Sequence, residues 1–237
     1  MEESLVSDFQ ETTEESKQRW ETNADFWDEY MGEHSNDFHR HIVRPDTERL
    51  LDVKCNDLVL DIACGNGNFS KRLVEHGASV VAFDYSEQMI KHARTRCAAQ
   101  LDHISFHVAD ATDKEQLLAL RQDRPFDKAV ANMAVMDISH IGPLLHAVYQ
   151  MLTQDGIFVF STVHPCFVKP DGKYMTSSVY EDIAITKQPV KHLYYHRSLS
   201  DLFQACFEAG FVLDGLHEPV LNDREIPPII MIRLRRK

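Results

Sequence analysis

Three acids, Asp61, Asp84 and Asp110, each stand at or near the end of a short apolar run, and the first is followed by a glycine pair, Gly65 and Gly67. Acids so placed accept hydrogen bonds from ligand hydroxyls and amines, while glycines let bare backbone approach a ligand without a Cβ clash. The stretch Asp57-Leu58-Val59-Leu60-Asp61-Ile62-Ala63-Cys64-Gly65-Asn66-Gly67-Asn68-Phe69 reads as a buried parallel strand that turns into a helix. The first amides of that helix face the same crevice. Val80-Val81-Ala82-Phe83-Asp84 follows, its acid 23 positions after Asp61. Near that spacing a doubly wound fold offers an acid to both ribose hydroxyls of an adenosine. Ile104-Ser105-Phe106-His107-Val108-Ala109-Asp110-Ala111 sets an acid and a small residue where an adenine would lie. Phe126-Asp127-Lys128-Ala129-Val130-Ala131-Asn132 brings Asn132 to the crevice from the next strand.

These four motifs, in this order over residues 57–160, resemble the class I S-adenosylmethionine-dependent methyltransferases of small-molecule type. The resemblance implies S-adenosyl-L-methionine as cofactor and S-adenosyl-L-homocysteine as product. It implies Asp61 near the methionine amino group, Gly65 and Gly67 under the cofactor, and Asp84 on the ribose. Asp110 then takes the adenine amino group, Ala111 a backbone contact, and Asn132 a backbone carbonyl near the cofactor's amino group. Ala63, Cys64, Tyr85, Met89 and Met133 complete the expected cofactor set. Ala63 departs from the family by replacing the commonest first glycine of the loop. Cys64 reads as a small, semi-polar filler rather than a nucleophile. A nicotinamide dehydrogenase on the same scaffold fits worse, because its third glycine is replaced by Ser70 and no serine, tyrosine and lysine set is visible.

The elements that must position these residues alternate. Helical patterns near Ser70–His76, Ser86–Ala99, Ile141–Leu152 and Ser200–Ala209 interleave with strand patterns near residues 57–62, 79–83, 104–108, 127–131 and 156–162. Ser86 suits a helix cap, and Gly77 and Gly210 suit helix stops. Such alternation predicts an α/β, doubly wound, Rossmann-like sheet with helices on both faces. Two more strands, Phe211 to Glu218 and Ile229 to Leu234, flank a prolyl loop. The resemblance makes the sheet seven-stranded and mostly parallel, with the last strand antiparallel.

With the crevice at the carboxyl ends of the strands, the methyl acceptor must be held by segments outside the alternation. The whole chain reads as a single methyltransferase domain with two such segments. One is an N-terminal helical lid over residues 1–50, in which Trp20, Ala24, Trp27 and Met31 recur at helical spacing before Gly32 ends the helix. Such an aromatic stripe serves packing more often than recognition, though a packed lid serves both. Tyr30 or Arg40 is expected to approach the methionine carboxylate. The other segment is a loop-rich insertion over 163–198, whose turns at Pro170, Asp171, Gly172 and Pro189 and whose aromatic content suggest a substrate cover. His164 would point at the acceptor, and His196 could return to the same pocket. Either histidine, or Asp137, is a candidate to take the acceptor's proton, against the plainer alternative that both histidines only bond neighbouring loops.

The net charge of −12 disfavours a nucleic-acid acceptor, which usually meets a basic surface, and the terminal Arg233, Arg235, Arg236 and Lys237 are too few to make one. Asn132-Met133-Ala134-Val135 also lacks the paired prolines and aromatic of base-methylating enzymes. A small-molecule acceptor is therefore expected, with a protein or RNA methyltransferase and a non-catalytic cofactor-binding module as alternatives. Five scattered cysteines do not make a disulfide framework and point to the cytoplasm. No apolar run approaches membrane-spanning length, and Met1 to Gln18 is too acidic for a signal peptide. Thirteen histidines include no zinc-type or acid-and-histidine motif, so no metal is expected.

Overall fold

In a computed structural model the described residues are 9–221 and 225–237. The first eight residues of the expected lid, and with them part of the acidic N-terminal stretch, lie outside them, as does part of the prolyl loop. Helix α1 (Thr13–Met31) ends at Gly32, whose φ of 58° closes the helix as the sequence suggests. A single wide π-turn, His39–Val43, runs into α2 (Arg44–Leu51), which starts with a proline in its first turn. Then come β1 (Leu58–Ile62), α3 (Asn68–Glu75), β2 (Ser79–Asp84) and α4 (Glu87–Arg96). The Ser86 hydroxyl accepts the Met89 N–H and caps α4. Next are β3 (Ile104–Val108), the short α5 (Lys114–Leu118), β4 (Phe126–Ala131) and α6 (Gly142–Met151). The chain continues through β5 (Leu152–Val163), β6 (Ser178–Asp182), β7 (His192–His196), α7 (Leu199–Glu208), β8 (Phe211–His217) and β9 (Ile229–Arg236).

Seven strands form one sheet in the order β3-β2-β1-β4-β5-β9-β8. The first five are parallel and β9 is antiparallel to both neighbours, the mostly parallel Rossmann-like sheet expected. Alternation along β1 sorts its side chains between two cores. Leu58, Leu60 and Ile62 pack with α5, α6 and α7, whereas Val59 packs with α2, α3 and α4. Both faces are therefore covered, and the carboxyl ends of the parallel strands form one rim.

Several elements differ from expectation, the short α5 among them. Leu152 opens β5 instead of closing α6, so the strand begins four residues early. Helix α2 was hidden in a polar stretch, where only Pro45 marks a start. The insertion is not loop alone: β6 and β7 pair as an antiparallel ribbon from Ser178 opposite His196 to Asp182 opposite His192. Its strand pattern is masked because every residue of β7 is buried, polar ones included. Cross-strand Tyr180 and Tyr194, with ring centroids 5.5 Å apart, help to fix the register. Helix α1 packs on α4 on one side and on β7 on the other.

Candidate functional site

A cavity of about 400 Å³ opens at the carboxyl rim of the parallel strands, within the range typical of small-molecule sites. Its floor is the loop after β1. Ala63, Gly65 and Gly67 all have positive φ, at 50°, 53° and 79°, so the backbone coils tightly under the cavity. Ala63 holds this conformation despite its methyl group, a mild strain for an L residue. A side chain at Gly65 would meet nothing within 4 Å, and Gly65 lines the cavity. Gly67 has another task. A Cβ there would lie 3.0 Å from the Ala93 Cβ and 3.2 Å from the Cys97 Sγ, so Gly67 lets α3 start against α4 and is not among the lining residues.

Asp61 and Asp84 end adjacent strands, and both face the cavity from a buried position. The Asp84 carboxylate accepts the Gly65 N–H at 3.0 Å and the Ser86 N–H at 2.9 Å. Burial still raises its pKa to about 6, those backbone donors opposing. Asp61 accepts the Ser70 hydroxyl at 2.6 Å, and burial, abetted by the neighbouring Asp84 charge, lifts it to about 7. Two buried carboxyls side by side with no cation between them call for a ligand that brings positive charge or several donors.

Asp110 and Ala111 line the cavity beyond the end of β3, and Asp110 is fixed by the Thr112 N–H at 2.7 Å and the Thr112 hydroxyl at 2.8 Å. Asn132 turns its amide oxygen toward Ser161 at 3.0 Å and Thr47 at 3.3 Å. Ser161 also accepts the Met133 N–H at 2.7 Å, which holds the end of β4 at the rim. Cys64, Tyr85, Met89 and Met133 line the cavity as well, and burial pushes the Cys64 thiol well up, which keeps it un-ionised.

The opposite wall comes from α1 and β7. Trp20, Trp27, Tyr30 and Tyr194 line it. Asn23 ties the two segments by exchanging hydrogen bonds with the Val190 backbone at 2.9 and 3.1 Å. The Trp27 indole donates to His192 at 3.0 Å. On its other side α1 is strapped to α4. Glu21 accepts the Ser86 hydroxyl at 2.5 Å, and Asp28 accepts the Asn66 amide at 3.0 Å and the Arg96 guanidinium.

Besides Gly67, three of the expected site residues lie elsewhere. Arg40 is not among the lining residues; it pairs with Asp37 on its own turn, and Arg44, at the start of α2, is the basic residue at the cavity instead. Arg44-Pro45 was the available signal, since the proline fixes where that helix begins. His164 is buried, with its Nε2 2.8 Å from Glu218 and its Nδ1 accepting the Cys166 N–H at 3.0 Å. His196 bonds the Tyr174 carbonyl at 2.8 Å. Both line a separate crevice of about 20 Å³, too small for an organic acceptor, so the histidines serve the loops around them. Asp137 alone of the three acid–base candidates reaches the large cavity. Burial, with a smaller push from Asp84, raises its pKa far above the carboxylate range, and Trp20 opposes this only in part.

Residues 59–156, which hold all four motifs, match the family model of the methyltransferase domain. That stretch is a methyltransferase domain, of the class I kind that the motifs resemble. S-adenosylmethionine is the cofactor that the buried acids and open backbone of the cavity suit. The chain is 34% identical over 106 residues to a ubiquinone biosynthesis O-methyltransferase of Caulobacter, a match spanning 45% of this chain and 40% of that relative. It is 20% identical to the crystal structure of an S-adenosylmethionine-dependent methyltransferase from Listeria monocytogenes, with a TM-score of 0.68 over 81% of this chain and 97% of that one. The magnesium protoporphyrin IX methyltransferase of Synechocystis, solved with S-adenosylmethionine bound, is alike in fold at 14% identity and a TM-score of 0.65, over 99% of this chain and 100% of that one. Among the described residues no helix of this methyltransferase is long and apolar enough to cross a membrane. No group of three or more His, Cys, Asp or Glu among them could hold a metal ion.

Proposed function

We propose that this methyltransferase acts on a small molecule held between the cofactor loop and the wall made by α1 and β7. The observation that carries the reading is the shape of the cavity. One continuous space reaches from Asp84 and Asp110 to Trp20, Trp27 and Tyr194, with α1 across its mouth. A helix there leaves room for a molecule of cofactor size and a compact acceptor, but obstructs a folded macromolecule. The chain's acidity supports the same reading. The Caulobacter relative, by its name, also serves the synthesis of a small molecule. In this reading residues 9–50 act as the lid and 163–198 as the acceptor's cover.

The cofactor assignments follow the chemistry of each group. Asp84 takes the ribose hydroxyls and Asp110 the adenine amine. Asp61 and the Asn132 carbonyl face the amino group, while Arg44 and Tyr30 hold the carboxylate. When bound, the cofactor supplies an electrophilic methyl group on a sulfonium. The protein's work is then to align and to exclude water, and orientation of that kind is worth ~7 to 11 kcal/mol, against ~10² to 10⁴ in rate for a general base. Incubation with methyl-labelled S-adenosylmethionine and a whole-cell extract tests the proposal. Label should appear in the fraction below about 1 kDa. Label confined to protein or RNA, removed by protease or nuclease, would overturn it.

A further inference from the structure

The wide turn before α2 carries a histidine that the cofactor assignments leave unused. His39 and Asn36 line the cavity together with Arg44. The Asn36 amide oxygen accepts the His39 backbone N–H at 2.9 Å and lies 2.9 Å from the ring Nδ1. An atom that accepts a backbone N–H has no hydrogen of its own to give, so Nδ1 carries the ring hydrogen and donates it. That bond fixes the tautomer and leaves Nε2 with a bare lone pair, to which no donor is bonded among the described residues. Burial holds the ring's pKa down at about 4, so the imidazole is neutral at neutral pH.

The turn sets where this lone pair stands. The Arg44 N–H bonds the His39 carbonyl five residues back. At 3.6 residues per turn, side chains five apart would diverge by about 140°, and the wider turn lets both reach the cavity. Farther along the same run the Thr47 hydroxyl donates to the Asn132 amide oxygen at 3.3 Å, which ties α2 to the end of β4. That strand is three places from β3, beyond whose end Asp110 faces the adenine. His39 therefore belongs to the methionine end of the cavity, where the sulfonium lies. Asp137 cannot act as a base, because burial keeps it protonated.

We propose, resting on the small-molecule reading, that the acceptor is a hydroxyl compound and that His39 Nε2 is the catalytic base that takes its proton, with Asn36 the positioning residue that holds the tautomer. A lone pair of the hydroxyl oxygen forms the new C–O bond as the C–S bond breaks, and the electron pair of that bond leaves with sulfur, which becomes a neutral thioether. The proton on oxygen passes to Nε2 and from the imidazolium to water, leaving a neutral methyl ether. A methylated oxonium is so strong an acid that even a weakly basic imidazole takes its proton, and burial then drives that proton on to water. A methylated ammonium would keep its proton against so weak a base, and a carboxylate acceptor has no proton to give.

The test uses the full chain, methyl-labelled S-adenosylmethionine and the small-molecule fraction of a cell extract. The labelled product should still form after the amines and thiols of the extract are blocked, should resist mild alkali, and should release its label as methyl iodide in hot hydriodic acid. His39→Ala should lower turnover at least ~100-fold, the low end for a general base, while calorimetry shows cofactor affinity within about threefold of wild type. Added imidazole should restore part of that turnover. His39→Gln, which has no base, serves if His39→Ala does not fold. Nitrogen NMR of the unliganded chain should show the His39 hydrogen on Nδ1 in the wild type and shared between both nitrogens in Asn36→Ala. A product that is lost on blocking, hydrolysed by alkali or untouched by hydriodic acid overturns the proposal and leaves the small-molecule reading standing. Wild-type turnover by His39→Ala does the same, as does a loss of cofactor affinity equal to the loss of turnover, which would assign His39 to the cofactor. Label found in macromolecules alone overturns both.

Discussion

Asp84 and Asp137 face the same cavity and are both shielded from water, yet their surroundings are opposite. Two backbone amides, from Gly65 and Ser86, hold the Asp84 carboxylate in a fixed orientation. The Asp137 carboxyl receives no backbone amide among the described residues, and only the Trp20 indole opposes the rise in its pKa. The cofactor wall is therefore completed by the fold itself, while the acceptor wall is left incomplete. Preorganised donors suit a ligand that every turnover shares, and an open valence suits the molecule that must be recognised.

Exchanging the two carboxyls one at a time gives the sharpest break. Asp84→Ala should weaken S-adenosylmethionine at least 100-fold, or about 2.7 kcal/mol, by calorimetry. Asp84→Asn, which keeps one acceptor oxygen, should lose less, with the melting temperature read alongside to separate folding from binding. Equal losses of cofactor affinity in Asp84→Ala and Asp137→Asn would show that the two walls are one site.

The loop beneath the cofactor separates conformational from ligand-facing glycine. Gly67→Ala puts a methyl group on a residue with φ of 79° and against α4. It should destabilise the fold by about 2 kcal/mol, lowering the melting temperature by roughly 4 to 8 °C at this chain length. Cofactor affinity of the folded fraction should be nearly unchanged, because Gly67 does not reach the cavity. A large loss of affinity with no change in melting would assign Gly67 to the ligand after all.

Asp61 gives the pH dependence its sign. Its pKa rises from 3.8 to about 7 on folding, so the folded state holds a proton that the unfolded chain releases. Such a group supports the fold below about pH 4, and that support is lost as pH rises toward 7. Burial likewise pulls His39 and His192 down to about 4, which acts in the opposite direction as pH falls below 6.5. The informative quantity is therefore the difference between Asp61→Asn and wild type without cofactor. That difference should grow in favour of the variant from about pH 4 to 7 and then level, by on the order of 1 to 2 kcal/mol because the cavity admits water. A difference that stays flat across this range would mean that Asp61 is ionised throughout.

The same contrast explains what could be read from sequence. Asp61 and Asp84 are legible because a parallel strand has a period of two and a fixed end, so a carboxyl-terminal acid can only stand at the rim. The mostly parallel sheet followed from the alternation, and its seven strands and antiparallel β9 from the resemblance. The acceptor wall has no such ruler. Trp20, Asp137 and Tyr194 come from α1, the turn after β4 and β7, and nothing in their spacing announces that they meet. His164 misled because the end of β5 does leave the sheet near the rim, but the chain turns the ring toward Glu218. Arg40 misled for a local reason: within one wide turn its nearer partner was Asp37.

The smallest expected effect concerns the wall made by α1. A ligand as large as the cofactor would enter more readily if α1 lifted from α4, and the straps between them cross at Asp28. Its carboxylate joins the Asn66 amide at 3.0 Å, the Arg96 guanidinium, and His92 at 3.3 Å. Arg96 would keep Glu33 at 3.0 Å and the Asn66 carbonyl at 3.1 Å after Asp28→Ala, so the helix should loosen without unfolding. The loss of a half-buried, charge-assisted bond is worth about 1 kcal/mol, or roughly fivefold in the closed population. Hydrogen exchange should quicken along α1 and not in β1 or β4, and KM for S-adenosylmethionine should rise a few-fold with a smaller change in kcat. Asp84→Ala should leave exchange in α1 of the unliganded protein unchanged. If Asp28→Ala instead slows exchange in α1, the helix is held by its apolar face against β7, and the acceptor wall is the fixed one.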